Sequence, residues 1–421
     1  PAPPRADPFD RSPIGEERTT MTHPNEVLTR IDLHSPIPEA LAAEIERRLF
    51  FVSPEITGFE VTVEGDEVRS VTLRSEQPLP HDALTEKVNS MVDNDVRRQW
   101  VTPAKAVWTS PHQRTPHQDV FELLSETGAV TEVGEGQVAV GEPLLSLFTY
   151  FDRAVCDLLA EEHEVREYRY PTLIRTKALE TAGYFKSFPQ HLMFVTRLRN
   201  DLDVYRTFQE QQAVTGIDSA VLDSCGNVDY CLPPTMCYHT FNQHSNRTLE
   251  AGRLHVVTSR GKSFRFEAAY ATGLERLWDF TIREMVFMGS REDVLNSRER
   301  FMRKVFAFVE ELGLSAFCEV GNDPFFCGTD TSERIWSQRM MELKYELRLH
   351  VGPGKTIAVG SFNFHDDLFG KAFGIGHGAD GPIRSGCVGF GLERLVYAFL
   401  CQYGLDTTAW PAQVRSVVSG S

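Results

Sequence analysis

Apolar residues recur at helical spacing over positions 36–51, alternate with polar ones over 59–63 and 68–73 around the Glu64-Gly65-Asp66 turn, and return to helical spacing over 81–92. This order predicts a compact α-β-β-α module within residues 31–110. Residues 1–20 are rich in Pro, Arg, Asp and Glu with almost no apolar periodicity, so 1–30 is expected to be a disordered leader, with Met21 a candidate natural start. Pro103, Pro111 and Pro116 mark a linker, and residues 120–410 then alternate helices and strands without repeats, as one large domain. Within it, 142–161 reads as a long helix with Leu144, Leu145, Phe148, Phe151 and Val155 on one face. Residues 166–173 read as a strand with Pro171 near its end. Residues 290–313 carry the clearest helix, with Ser290 as cap, Asp293 at the capping-box position and Gly313 able to close it in the left-handed region.

Composition changes this picture in three ways. The chain has 421 residues, 41% hydrophobic and 24% charged, enough for a full core and two or three domains. It has no run of about 18 apolar residues, as a membrane helix would need, and no basic-then-apolar start, so the cytoplasm is the expected location. The formal charge is −16, and residues 31–110 hold 14 acidic against 8 basic residues, a poor surface for nucleic-acid phosphates. Eight scattered cysteines are too few for a disulfide scaffold and are expected to be free thiols with a few metal ligands.

Two constellations carry chemistry. Phe264-Arg265-Phe266-Glu267 leads into a loop and returns through Arg276-Leu277-Trp278-Asp279-Phe280 towards Phe287, which reads as a β-hairpin with a long tip. An Arg at its base can grip an α-phosphate of ATP with two donors, a nearby Glu can accept from an amino group, and a Phe on the return can stack on adenine. The second is Ser385-Gly386-Cys387-Val388-Gly389-Phe390-Gly391-Leu392-Glu393-Arg394, a Gly-rich strand feeding an apolar helix. Its glycines permit close approach to a ligand, and Arg394 can neutralise a terminal phosphate. Alone, such a segment is more often packing than a binding loop.

Taken together and in this order, the two constellations resemble motifs 2 and 3 of the class II aminoacyl-tRNA synthetases. Pro171, in Tyr168-Arg169-Tyr170-Pro171, is placed like the motif 1 proline, where that family dimerises. The resemblance covers roughly residues 120–405 and implies an α+β fold: a mostly antiparallel sheet of six or seven strands flanked by helices, in a homodimer.

The cysteines narrow the resemblance. Cys237 lies in Pro234-Thr235-Met236-Cys237-Tyr238-His239, Glu284 on the returning motif 2 strand, and Cys387 at the opening of motif 3. Two thiolates and a carboxylate can hold zinc and leave a fourth position open. This order resembles the atypical seryl-tRNA synthetases of methanogens and the shorter amino acid:[carrier protein] ligases, which implies that the open zinc position takes the substrate amine. Core packing is the plain alternative for any one thiol. A rival local set is Cys231, Cys237, His239 and His244, while Cys225, Cys318 and Cys327 have no distinguishing placement. Residues 321–326, 341–347 and 360–365 look like the carrier-protein ligases. Residues 356–360 lack an acid where seryl enzymes place one, so magnesium is expected without an assigned ligand set.

The resemblance implies a small amino acid as substrate, activated by ATP to an aminoacyl-adenylate. Arg265 and Arg394 would clamp phosphate, Glu267 and Phe280 would fix adenine, and Arg276 would complete the nucleotide site. The acceptor is expected to be the phosphopantetheine thiol of an acyl or peptidyl carrier protein. A zinc-dependent seryl-tRNA synthetase is the alternative, and the acidic module weighs against tRNA. A non-catalytic synthetase-like subunit is disfavoured, because every expected functional side chain is present.

Overall fold

The computed structural model describes residues 26–97, 105–267, 273–321 and 341–418. The chain divides into two units, Pro1–Arg97 and Arg98–Ser421.

In the first unit, strand β1 (Val27–Pro38) precedes helix α1 (Ala42–Leu49), β2 (Ile56–Glu64), β3 (Glu67–Ser75) and helix α2 (His81–Met91). The sheet is antiparallel in the order β1-β3-β2. The expected helix over 36–51 therefore forms only from Ala42, and the unit is β-α-β-β-α. The missed strand obeys the period-two rule, with Thr29, Ile31 and Leu33 buried and Leu28, Arg30 and Asp32 exposed. Its start places Val27 to Arg30 in ordered structure rather than in a leader; residues 1–25 lie outside the described residues. Asn89 of α2 ties helix to strand, accepting from the His34 amide at 2.7 Å and donating to the Asp32 carbonyl at 3.2 Å.

The second unit is built on an eight-stranded sheet. Its elements are β4 (Ala106–Thr109), α3 (Leu144–Ala160), β5 (Val165–Tyr168), α4 (Cys237–Gln243), β6 (His255–Phe264) and β7 (Asp279–Gly289). They continue with α5 (Arg291–Glu311), β8 (Ala316–Val320), β9 (Lys344–Gly352), β10 (Lys355–Asp366), α6 (Leu368–Phe373), β11 (Arg384–Gly391) and α7 (Leu392–Tyr403). The strand order is β4-β8-β9-β10-β11-β7-β6-β5, antiparallel throughout except for the β6–β5 pair. This is the mostly antiparallel, helix-flanked sheet expected, one strand wider because short strands close both edges. One of them, β4, falls within the 31–110 assigned to the N-terminal module; it pairs instead with β8, and its Trp108 stacks on Phe306 of α5 at 4.4 Å.

One face of the sheet carries α3, α5 and α7, whose Phe151, Phe301 and Phe399 are fully buried. On α3 the buried stripe is Leu144, Leu147, Phe151, Val155 and Leu159; Leu145, expected on that face, is 47% exposed. Helix α5 starts as expected: the Ser290 hydroxyl accepts from the Asp293 amide at 3.1 Å, and Gly313 follows its end at φ +64°. The opposite face is covered by α4 and α6 through Phe241, Phe369 and Phe373.

Asp152 of α3 accepts from Arg283 of β7 through both oxygens, at 2.6 and 2.9 Å, and Glu167 of β5 accepts from the same guanidinium at 2.7 Å. The Arg283 side chain is 5% exposed, so this pairing neutralises a charge that water cannot reach. Asp152→Ala should cost about 3 kcal/mol of stability by leaving buried Arg283 with only the exposed Glu167 as carboxylate partner, seen as a lower denaturant midpoint. Arg153→Ala on the same helix, at an 82% exposed side chain, should stay within about 0.5 kcal/mol. Equal midpoints for the two variants would contradict this.

Candidate active site

The site lies on the α4 and α6 face of the sheet, where register decides which side chains meet. Cys387 of β11 stands opposite Val286 of β7 and Asn363 of β10. Two residues on, Gly389 stands opposite Glu284 and Ser361. Directly paired residues share a face, as do residues two apart, so Glu284, Cys387, Ser361 and Asn363 converge on one surface. Gly389 sits among them with no side chain to fill the space. Gly386 lets β10 and β11 come close, since a Cβ there would lie 2.7 Å from the Asn363 carbonyl.

Above this floor, the segment entering α4 brings in Cys237. Its amide donates to Glu284 Oε2 at 2.7 Å, and the Thr235 hydroxyl donates to the same oxygen at 2.5 Å. The Cys237, Glu284 and Cys387 donor atoms lie within 4.8 Å of one another, and all three residues are buried. Tetrahedral zinc, with Zn–S near 2.3 Å and Zn–O near 2.0–2.2 Å, needs ligand atoms roughly 3.5–4 Å apart, so the spread suits it.

The electrostatics agree with this fit. Burial, then the neighbouring Cys387, push the Glu284 carboxyl up to about 8, against the hydrogen bonds it accepts. The Cys237 thiol is raised by its hydrogen bond to Cys387, with burial and Glu284 adding to it. Cys387 is held down by that same bond and by His365 and Asn363, against its own burial. Three acidic groups at one dry point cannot all ionise unaided, and a divalent cation would supply the missing charge. Among the described residues this is the one cluster of three or more metal-type donors. The rival local set does not assemble: Cys231 bonds to Thr176 at 3.7 Å and His239 stacks on Tyr170 at 5.2 Å. Cys327 lies outside the described residues.

The nucleotide-type residues line the same cavity, which has a volume of about 380 Å³. Strand β6 ends at Phe264, so Arg265 and Glu267 lie just past it, and β7 resumes only at Asp279. Residues 268–272 of the intervening loop lie outside the described residues. Arg265 donates to the Pro234 carbonyl at 3.2 Å and lies 5.4 Å above the Phe280 ring. Glu267 is paired with Arg276 at 3.0 Å. Arg394, in the first turn of α7, donates to the Glu275 carbonyl at 2.6 Å. Burial, helped by Arg276, lowers it to about 10, so it still carries its proton at neutral pH. Arg265, Glu267, Phe280 and Arg394 thus share a cavity with Cys237, Glu284 and Cys387, while Arg276 joins through Glu267.

Several residues of the site had no role in the sequence reading. Both oxygens of buried Glu393 accept from the Thr281 amide at 2.8 Å, pinning α7 to β7 beside Arg394. His365 approaches the Cys387 sulfur, and Lys344 and Glu346 of β9, 3.1 Å apart, line the wall. The alternation Ser361, Asn363, His365 was the available signal for the first wall and Lys344, Glu346 for the second. Of the 321–326 segment, only Gly321 is among the described residues.

No family model matches the chain. It is 34% identical over 255 residues to amino acid–[acyl-carrier-protein] ligase 1 of Bradyrhizobium diazoefficiens, covering 59% of this chain and 75% of that protein. It is 28% identical over 344 residues to the type-2 serine–tRNA ligase of Methanococcus aeolicus, covering 80% of this chain and 64% of that one. The fold is similar to that of the M. kandleri seryl-tRNA synthetase solved with A. aeolicus tRNASec, at TM-score 0.69 and 21% identity, over 94% of this chain and 77% of that one. The architecture is therefore that of a class II aminoacyl-tRNA synthetase. Within that class the chain belongs to the amino acid–[acyl-carrier-protein] ligase family, whose homologues include the type-2 serine–tRNA ligases. Membership makes it a ligase. Among the described residues no helix is long and apolar enough to cross a membrane.

Metal analysis tests the triad. The purified protein should carry about one zinc per chain, and Cys237→Ser and Cys387→Ser should each lose it. Full zinc in both variants would remove the site; loss only in Cys231→Ser or His244→Ala would favour the local set.

Proposed function

We propose that the protein activates a small amino acid with ATP and transfers it to the phosphopantetheine thiol of an acyl or peptidyl carrier protein. The observation that carries this reading is the single cavity lined by both the Cys237, Glu284, Cys387 triad and the Arg265, Glu267, Phe280, Arg394 set. Zinc held by the triad would supply a Lewis-acidic position for the neutral substrate amine. The substrate carboxylate then attacks the α-phosphorus of ATP and pyrophosphate leaves. Arg265 and Arg394 neutralise the charge that develops on the phosphoryl oxygens. Glu267, freed from Arg276 by the incoming nucleotide, accepts from adenine, and Phe280 offers its ring once Arg265 turns to phosphate. In the second step the carrier thiol attacks the acyl carbon and AMP departs. Magnesium would accompany ATP, and the motif 1 region around Pro171 would pair the chain with a second copy.

The acceptor choice follows the higher identity to the ligase, 34% against 28%, and the acidic character of residues 31–110. A second reading, seryl-tRNA synthetase, is favoured by the greater share of this chain, 80% against 59%, that matches the Methanococcus aeolicus enzyme.

ATP–pyrophosphate exchange across the amino acids should identify the substrate. Arg265→Ala and Arg394→Ala should each lower exchange about a hundredfold or more, about 3 kcal/mol of transition-state stabilisation. Near-normal exchange in either variant would remove that arginine from the mechanism. With the preferred amino acid, a mass-shifted phosphopantetheinylated carrier is expected. Efficient charging of tRNA with no carrier thioester would establish the second reading instead.

A further inference from the structure

The strand that flanks the triad carries a device that the metal reading leaves unexplained. The β10–β11 register shifts between Phe364 and Asp366, and Asp366 takes φ +51°, in the left-handed region. His365 occupies this bulge, which re-aims its ring out of the regular ladder. Its Nε2 lies 3.4 Å from Cys387 Sγ and its Nδ1 lies 3.2 Å from Ser385 Oγ. The rings of Phe241 and Phe369 meet the imidazole edge-on at 5.9 and 4.8 Å and hold its plane. Asn363, directly opposite Cys387, points Nδ2 at the same sulfur from 3.5 Å.

A metal-bound cysteine is a thiolate and can only accept. The His365 Nε2 that faces the sulfur must then carry a hydrogen, and in the tautomer with Nδ1 bare that nitrogen accepts. In that tautomer the fully buried Ser385 hydroxyl, 3.2 Å away, donates to Nδ1.

We infer that Ser385, His365 and Asn363 form a donor relay that locks one imidazole tautomer and directs two N–H groups at the Cys387 sulfur. This inference rests on the zinc reading. His365 and Asn363 are positioning residues: they orient the sulfur and withdraw charge from it, so the ion keeps enough positive character to hold a neutral amine.

Cobalt(II)-substituted protein tests it, because the thiolate-to-cobalt charge-transfer band reports the charge on sulfur. His365→Leu should move that band to lower energy, and His365→Gln, which keeps an N–H, should stay near wild type. Ser385→Ala should shift it in the same direction by less, and gives a reading if the His365→Leu protein does not fold. His365→Leu should also raise the amino acid KM in pyrophosphate exchange roughly tenfold, with the ATP KM unchanged. An unmoved band in both His365→Leu and Ser385→Ala would overturn the relay and leave the zinc site standing. A Gln variant shifted as far as the Leu variant would reduce His365 to ring packing and likewise overturn it. Wild-type protein that takes up no cobalt would overturn the zinc reading, and the relay with it.

Discussion

The hydrogen-bonded register of β7, β11 and β10 is the constraint on which the rest of the site depends. It sets Glu284 opposite Gly389 and Cys387 opposite Asn363, on one face of the sheet. Only Cys237 comes from outside the sheet, and its own amide is tied to Glu284. The donors are therefore assembled by backbone pairing rather than by mutual attraction, which their shared tendency to negative charge would oppose. A rigid ladder can hold together groups that free side chains would keep apart.

The nucleotide side is held by different means. Arg265 and Glu267 lie beyond the end of β6, and their present partners are replaceable: a backbone carbonyl, a ring face and Arg276. Arg394 is fixed more firmly, because its neighbour Glu393 locks the start of α7 to β7 through two hydrogen bonds. The cavity thus joins a stiff half to an adaptable half, which on the proposed function would take a small amine and a long, charged nucleotide respectively.

Both halves were legible in the sequence because their residues sit in contiguous, chemically unusual segments. FRFE and GVGFGLER stand out through their joint resemblance to motifs 2 and 3, and Cys237, Glu284 and Cys387 through their resemblance to the zinc-dependent relatives; residues from each set line one cavity. What escaped was positional. Strand β1 is hidden because it crosses the expected boundary at residue 30 and its last residues, 36–38, fall within the expected helix, which splits the alternation of Thr29, Ile31 and Leu33. Strand β4 was given to the wrong unit, since four residues carry too little pattern to name their partner. Glu393 looked like one more residue of a motif, and His365 depends on a bulge that no side-chain pattern encodes. Residue chemistry is local in sequence; pairing partners and bulges are set by the tertiary structure.

Consecutive residues on β7 serve opposite faces: Arg283 reaches Asp152 and Glu167, and Glu284 reaches the thiols. A strand that slipped by one position during folding would exchange them. The guanidinium would then enter the pocket of donors, and the carboxylate would face Asp152 and Glu167 with only the partly exposed Arg260 beside Asp152. The second arrangement sets like charges together in a dry interior, so the dipeptide penalises the wrong strand alignment electrostatically before any ligand arrives.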